Sequence, residues 1–374
     1  MTEVPKVRLG ELIEIFEERN ASGENYPFYG VNKDKVFMPT VADTNELDNK
    51  KYKIVKRNMF VFSGMQTGRD VCIRLALYGK DIPILISPAY TTFVIKESAE
   101  PLPEYLYMFF NRFEMDRYGA FLSDSSIRSN LAWDRFCDIK IPLPDIEVQR
   151  DLVAIYGGLQ KIVTENEALI SQLESVCHDF VVDCKSKYPK VKLGDHIEEC
   201  DERNSDGALT LDDVRGISIE KKFIFTKADM AGVSLTPYKV VKKGWFCYVP
   251  VTSRNGEKIS LAIYGDEAPA IVSATYYVFR SRNEEILHPE YLYLLFKRSE
   301  FDRYARFNSW GSARETFDLS EMRRVEIPLP PIDIQRSIAA VARCLSEAKR
   351  IVADARGLMK NICPALVQKA AHSA

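Results

Sequence analysis

Residues 141–150 read IPLPDIEVQR and residues 327–336 read IPLPPIDIQR, the second copy 186 positions after the first. Prolines, which can neither donate to a strand ladder nor sit inside a helix, stop a short apolar run in each copy. A long periodic segment begins directly afterwards, so the stretch reads as a hinge from a globular domain into a helix. The offset extends well beyond the hinge. PEYLY at 103–107 returns at 289–293, DRY at 116–118 returns at 302–304, and Tyr78-Gly79 returns as Tyr264-Gly265. Near the front, VRLG at 7–10 matches VKLG at 191–194 and Glu18-Arg19-Asn20 matches Glu202-Arg203-Asn204, so the offset there is 184 and the length change falls between Asn20 and Asn58. A repeat this long is a duplicated domain plus helix, since solenoid units run to only about 20–50 residues.

Within each half the pattern changes once. Residues 7–20 offer Val7, Leu9, Leu12, Ile13 and Phe16 to a core, and 26–95 is a series of short runs rich in Val, Ile, Phe and Tyr, expected to be mostly strand. PEYLYMFFNRFEMDRY at 103–118 returns to helical spacing, with Leu106, Phe109, Phe110 and Phe113 expected toward a core. From 148 onward Val148, Leu152, Ile155, Leu159, Ile162, Asn166, Leu169, Leu173, Val176 and Phe180 alternate by four and three. So do Ile334, Ile338, Val341, Leu345, Ala348, Val352, Ala355, Met359, Ile362 and Leu366. Both read as heptad seams, with Asn166 as a register-fixing polar residue.

The expected fold is α+β: two tandem-repeated globular β/α domains joined by two long helices that form an antiparallel coiled coil and hold the domains at opposite ends. The boundaries are 1–144 for the first domain, 145–187 for the central helix, 188–330 for the second domain and 331–374 for the C-terminal helix.

Charge supports the pairing of the helices. Residues 145–187 carry 4 basic and 8 acidic groups, whereas 329–374 carry 7 and 3. The globular parts are near neutral, with 19 basic and 20 acidic groups in 1–144 and 21 and 22 in 188–328. Eight cysteines without a CxxC pair and four scattered histidines speak for reduced packing thiols, not for a metal site. No apolar run is long enough to cross a bilayer, and the charged N-terminus lacks a signal-peptide core, so a cytoplasmic location is expected.

Two domains that open on VxLG and ERN and close in IPLPxIxxQR before a long helix resemble the specificity (S) subunit of type I restriction-modification systems, over essentially the whole chain from Val7 to Leu366. The resemblance implies two target recognition domains, each reading half of a bipartite double-stranded DNA site, with the helices setting the unread spacer. It implies docking of two methyltransferase (M) subunits and, in the full complex, restriction (R) subunits. It also implies no catalysis and no cofactor on this chain, S-adenosylmethionine, ATP and Mg belonging to partner subunits, with no membrane partner. The sequence agrees: there is no GxxxxGK[ST] phosphate loop, no N-P-P-[YF] or D-P-P-[YF] run and no GxSxG elbow. The alternatives are the specificity subunit of a related system with restriction fused to the methyltransferase chain, a cryptic DNA methyltransferase or nuclease, and a coiled-coil scaffold.

Base-reading side chains are expected where the halves differ, since they share a scaffold and not a target. The divergent polar segments are GMQTGRD at 64–70 and VTSRNGEK at 251–258, which nominate Gln66, Thr67 and Arg69 in the first half and Thr252, Ser253, Arg254, Asn255 and Lys258 in the second. Asn255-Gly256 is equally a hairpin-turn signal. A shared stretch before each hinge aligns Ser123, Ser126 and Arg128 with Ser309, Ser312 and Arg314, which suits phosphate positioning, or capping of a helix.

Overall fold

The computed structural model describes residues 4–40, 47–99, 101–124, 126–226, 228–253, 258–312 and 314–370. Its helices, in chain order, are α1 (Leu9–Leu12), α2 (Thr67–Asp70), α3 (Pro103–Phe110), α4 (Phe113–Leu122), α5 (Trp133–Cys137), α6 (Ile146–Lys187), α7 (Pro289–Phe296), α8 (Ser299–Phe307), α9 (Leu319–Arg324) and α10 (Ile332–Ala370). The chain divides into two compact units, one of Met1–Asn166 with Arg350–Ala374 and the other of Glu167–Lys349. Each unit therefore takes part of both long helices.

In the first unit Ile13–Ile15, Thr91–Ile95, Phe60–Ser63 and Arg74–Leu77 form a four-stranded sheet in that spatial order, all neighbours antiparallel. Both of its faces are covered, which is why Phe60, Val61 and Phe62 are all buried although side chains alternate across a strand. Phe60, Phe62, Leu75 and Phe93 face a helical core with Tyr105, Leu106, Phe109, Phe110 and Phe136. Val61, Ala76 and the half-buried Val94 face a second layer with Val31, Val55, Ile84 and Ile86, from a five-stranded sheet. The second unit repeats this: Ile197–Glu199, Tyr277–Ser281, Phe246–Tyr248 and Leu261–Ile263 pair in the equivalent order. The stacked rings Phe60–Phe93 at 4.9 Å recur as Phe246–Phe279 at 5.1 Å.

The repeated motifs are buried polar anchors. The glutamine of the hinge motif is almost wholly buried in both halves. Gln149 accepts from the Leu102 N–H at 3.0 Å, just before α3, and donates to the Pro144 carbonyl at 2.9 Å. Gln335 accepts from the His288 N–H at 2.9 Å and donates to the Pro330 and Ile286 carbonyls at 2.8 Å. One side chain thus fixes the start of a domain helix to the proline turn, where proline has removed the backbone donors that would otherwise do so. The PEYLY tyrosines add a second tie, the Tyr105 hydroxyl donating to Pro142 at 2.9 Å and that of Tyr291 to Pro328 at 2.8 Å. The asparagine of ERN, buried as Asn20 and Asn204, holds the next loop by a donor and an acceptor bond to Glu24 and to Leu209 respectively. The length change between the halves lies just after it, in 21–27 against 205–213, where the second half carries the short 3-10 helix Leu211–Asp213.

The long helices run antiparallel. In the first unit Leu152 and Tyr156 of α6 share a core with Cys363, Val367 and Ala370 of α10. In the second, Cys177 and Val181 of α6 share one with Ile338 of α10. The seam on α6 differs from the strict heptad reading: Val148, Ile155, Ile162, Leu169 and Val176 are 38–50% exposed. Their inward places are taken one residue later by Gln149, Tyr156 and Cys177, beside Leu152. A helix that packs on both a partner helix and a globular domain buries a stripe wider than an a/d seam, and the row at its flank stays out. Phe113 is another departure. It is 65% exposed because residues 103–118 form two helices broken at Asn111–Arg112, which changes the phase. Phe16 is likewise 45% exposed. The opposite helix charges meet directly at Lys349–Glu174 (2.6 Å), while Arg336 and Arg343 of α10 pair with Glu285 and Glu290.

Gln335→Ala leaves the His288 N–H and the Pro330 and Ile286 carbonyls without this partner, and is expected to lower the unfolding free energy of the second unit by about 2–4 kcal/mol in a denaturant titration. An unchanged transition would remove the glutamine from this role.

Candidate nucleic-acid interface

The two candidate segments of each half, some sixty residues apart in sequence, are brought onto one rim. In the first unit Gly64 follows its strand and α2 is a single turn flanked by two left-handed residues, Gln66 (φ 61°) and Val71 (φ 47°). A β-branched residue rarely adopts that conformation, and such strain persists only where surrounding contacts impose it. Here they come from residues 123–131. Leu131 N–H donates to the Gly64 carbonyl at 2.9 Å, Gly68 N–H to the Ser129 carbonyl at 3.0 Å, and Gln66 N–H to Asn130 Oδ1 at 3.1 Å. A Cβ on Gly64 would strike the Leu131 carbonyl, so glycine is required for this approach.

The partner loop closes on Asp124, whose carboxylate accepts from the Ser126 hydroxyl at 2.6 Å, the Ser126 N–H at 3.1 Å and the Asn130 N–H at 3.0 Å. The Ser126 and Asn130 bonds hold Asp124 below the usual carboxylate range. The second unit meets the same need with other residues. Thr252 N–H donates to the Glu315 carbonyl at 3.0 Å and its hydroxyl to Ser309 Oγ at 2.8 Å. Trp310 and Thr316 exchange backbone bonds at 3.0 and 2.9 Å around Gly311 (φ 138°).

A buried ion pair stands behind each rim. Lys35, in a left-handed turn (φ 61°), pairs with Asp116 of α4 at 2.8 Å, and Lys221 (φ 59°) pairs with Asp302 of α8 at 2.5 Å. These are the aspartates of DRY. Each also accepts the N–H of the residue that ends the candidate loop, Ile73 at 2.9 Å and Ile259 at 3.1 Å. Burial pulls the Lys221 ammonium below its usual range, and Asp302 opposes that pull. Loop, turn and helix are thereby tied at one point.

The nominated residues fall into two groups. Thr67, Thr252 and Ser309 are buried, with hydroxyls donating to the Gly64 carbonyl (3.0 Å), Ser309 and the Ala305 carbonyl (2.6 Å) respectively, so in this geometry they brace the rim and present no hydroxyl to solvent. Ser123 is half-buried and donates to the Gly119 carbonyl at 2.9 Å. Outward lie Arg69, Ser126, Arg128, Ser253, Lys258, Ser312 and Arg314, with Gln66 half-buried. Arg69 spans Gln66 Oε1 (2.8 Å) and Asp70 (3.2 Å). Burial works against ionisation of Asp70, but Arg69 and Lys33 outweigh it and lower its pKa. Lys258 pairs with Glu220 at 3.3 Å. Arg254 and Asn255 lie outside the described residues. Sequence reasoning did not nominate Asn130, Asp124 or the Lys–Asp pairs, although the repeated DRY was a signal for the last. Among the described residues no three His, Cys, Asp or Glu side chains form a metal-binding group, and no helix is long and apolar enough to cross a membrane.

Asp302→Ala leaves Lys221 and the Ile259 N–H buried without their partner, and is expected to cost about 3–5 kcal/mol of stability in denaturant titration. The double change Lys221→Met with Asp302→Leu removes both charges and should cost much less. Equal losses would show that the pair is not what anchors the rim.

Residues 238–347 match the model of the type I restriction modification DNA specificity domain. No curated protein matches the chain by sequence. Among solved structures, the type I restriction-modification system S subunit from M. genitalium is 12% identical, with 99% of this chain and 96% of that chain covered at a TM-score of 0.65. The HsdS subunit from Thermoanaerobacter tengcongensis is 18% identical over 99% and 97% of the two chains at a TM-score of 0.38. A chain from a structure on complex assembly and conformational transition of the type I R-M system is 18% identical over the full length of both, also at 0.38. The M. genitalium S subunit carries the comparison of folds across both halves, and the family match falls within the second. The chain therefore contains, at 238–347, a match to the type I restriction modification DNA specificity domain, and over its whole length it is similar in fold to the M. genitalium S subunit.

Proposed function

We propose that each unit reads one half of a bipartite duplex DNA site through its rim, and that the paired helices set the unread spacer and dock methyltransferase subunits. The observation that carries this reading is the rim itself. In both halves a segment that diverges between the repeats is braced by a buried, repeated scaffold and set beside outward-facing arginines, Arg69 and Arg128 in one unit and Arg314 in the other. That is the arrangement needed to change the bases read while keeping the frame. Gln66 and Arg69 in the first unit, and Ser253, Arg254, Asn255 and Lys258 in the second, are the proposed base-reading set, and Ser126, Arg128, Ser312 and Arg314 the phosphate-positioning set.

The chain acts by binding. S-adenosylmethionine, ATP and Mg belong to the partner methyltransferase and restriction subunits, in the cytoplasm. Because the globular parts are near neutral, few phosphates are neutralised by the chain alone, and tight binding draws on partners closing around the duplex. In the first unit the exposed row Val148, Ile155 and Ile162 on α6 is the proposed methyltransferase-docking strip.

Two exchanges test this in cells, read by long-read methylation sequencing. Replacing residues 1–142 with the equivalent region of a relative should change one half-site and leave the other intact. Inserting one heptad into both helices should lengthen the spacer and leave both half-sites unaltered. A change in both half-sites, or a spacer that does not move, would contradict the assignment.

A further inference from the structure

The repeat preserves one more feature than the rim requires. DRYGAF at 116–121 and DRYARF at 302–307 share an aspartate paired to a buried lysine, an exposed arginine and a phenylalanine four residues after it. Phe121 is 81% exposed and Phe307 is 79% exposed, far from the behaviour of a core aromatic. Arg117 and Phe121 stand one turn apart on the open side of α4, as Arg303 and Phe307 do on α8. A serine hydroxyl closes the turn that presents each ring, Ser123 donating to the Gly119 carbonyl and Ser309 to that of Ala305. Behind it, the buried Gly119 faces Ile73 and Thr67 of the reading loop so closely that a Cβ there would strike Ile73. The loop that follows carries another exposed apolar side chain, the fully exposed Ile127 in one unit and Trp310, 64% exposed, in the other.

Resting on the reading of DNA by these rims, we propose that Phe121 and Phe307 are stacking wedges, one per half-site, each inserted against a base step while Arg117 or Arg303 holds the adjacent phosphate. Three observations select duplex DNA as the occupant. The rings are continuous with the proposed reading rim. Each ring has a cation one helical turn before it, Arg117 for Phe121 and Arg303 for Phe307, and in the first unit Arg135 lies against the end of α4 through its bond to the Leu122 carbonyl at 3.2 Å. Finally, the Arg–Phe pair is shared by halves whose reading loops diverge. A contact of that kind should not depend on sequence, and stacking on a base or a base step does not, because every base has a π-face.

The test uses the full chain alone at low salt, so that no methyltransferase flips a base. The probe is a duplex carrying the gapped motif obtained by methylation mapping, with 2-aminopurine at successive positions. Fluorescence should rise at one step in or beside each half-site. Phe121→Ala should abolish the rise at one half-site only and Phe307→Ala at the other, with binding about tenfold weaker. Phe121→Trp should retain the rise. Complexes that form with no rise, or a rise that survives both alanine changes, would overturn the proposal. So would alanine variants that bind the duplex normally but fail to assemble with the methyltransferase chains, which would assign the rings to a protein contact. Failure of the unaltered chain to prefer the motif over a scrambled duplex would instead sink the DNA reading, and the wedges with it.

Discussion

The buried lysine–aspartate pair is the constraint on which each half depends. Lys35 with Asp116, and Lys221 with Asp302, join a strand turn to a helix, and the same carboxylate takes the backbone N–H at the end of the reading loop. A buried charge without a partner is costly enough that the turn, the helix and the loop end cannot move apart independently. The residues between are then free to differ. GMQTGRD and VTSRNGEK have little in common, yet each follows the equivalent strand of its own sheet and is followed by the equivalent anchored isoleucine, Ile73 or Ile259. Keeping the frame by buried polar contacts, while leaving the loop free to vary, lets one scaffold carry two different loops.

The hinge works on the same principle. Prolines give the turn its direction but delete donors, and the buried glutamine supplies the bonds that the backbone cannot. Without that lock a long helix would leave the domain at an undefined angle, and its length could not serve as the proposed measure of the spacer. Each half thus relies on a small number of repeated polar residues whose side chains are spent inside the protein.

Much of this was legible in the sequence because duplication marks what must stay. The hinge, ERN, PEYLY and DRY were all visible as repeats, and the structure gives each a physical task. The two long helices and their antiparallel pairing followed from periodicity and opposite charge. The seam position was not legible: Ile155 and Ile162 read as core by spacing, but a helix facing both a partner and a domain rotates its buried stripe away from them. Phe113 and the exposed Phe121 could not be placed either, since one depends on a helix break and the other on what lies outside the fold. Of the nominated site residues, Thr67 and Thr252 look like base readers in sequence, yet both are buried braces, and a polar loop residue gives no sign of which way it points.

The central claim is that this chain chooses the DNA site for a methyltransferase. The most direct measurement is a long-read methylation map of the source genome with the gene present and deleted. The account predicts the loss of one gapped motif, both half-sites together, on deletion. An unchanged map in cells that express the chain and an active methyltransferase partner would contradict it.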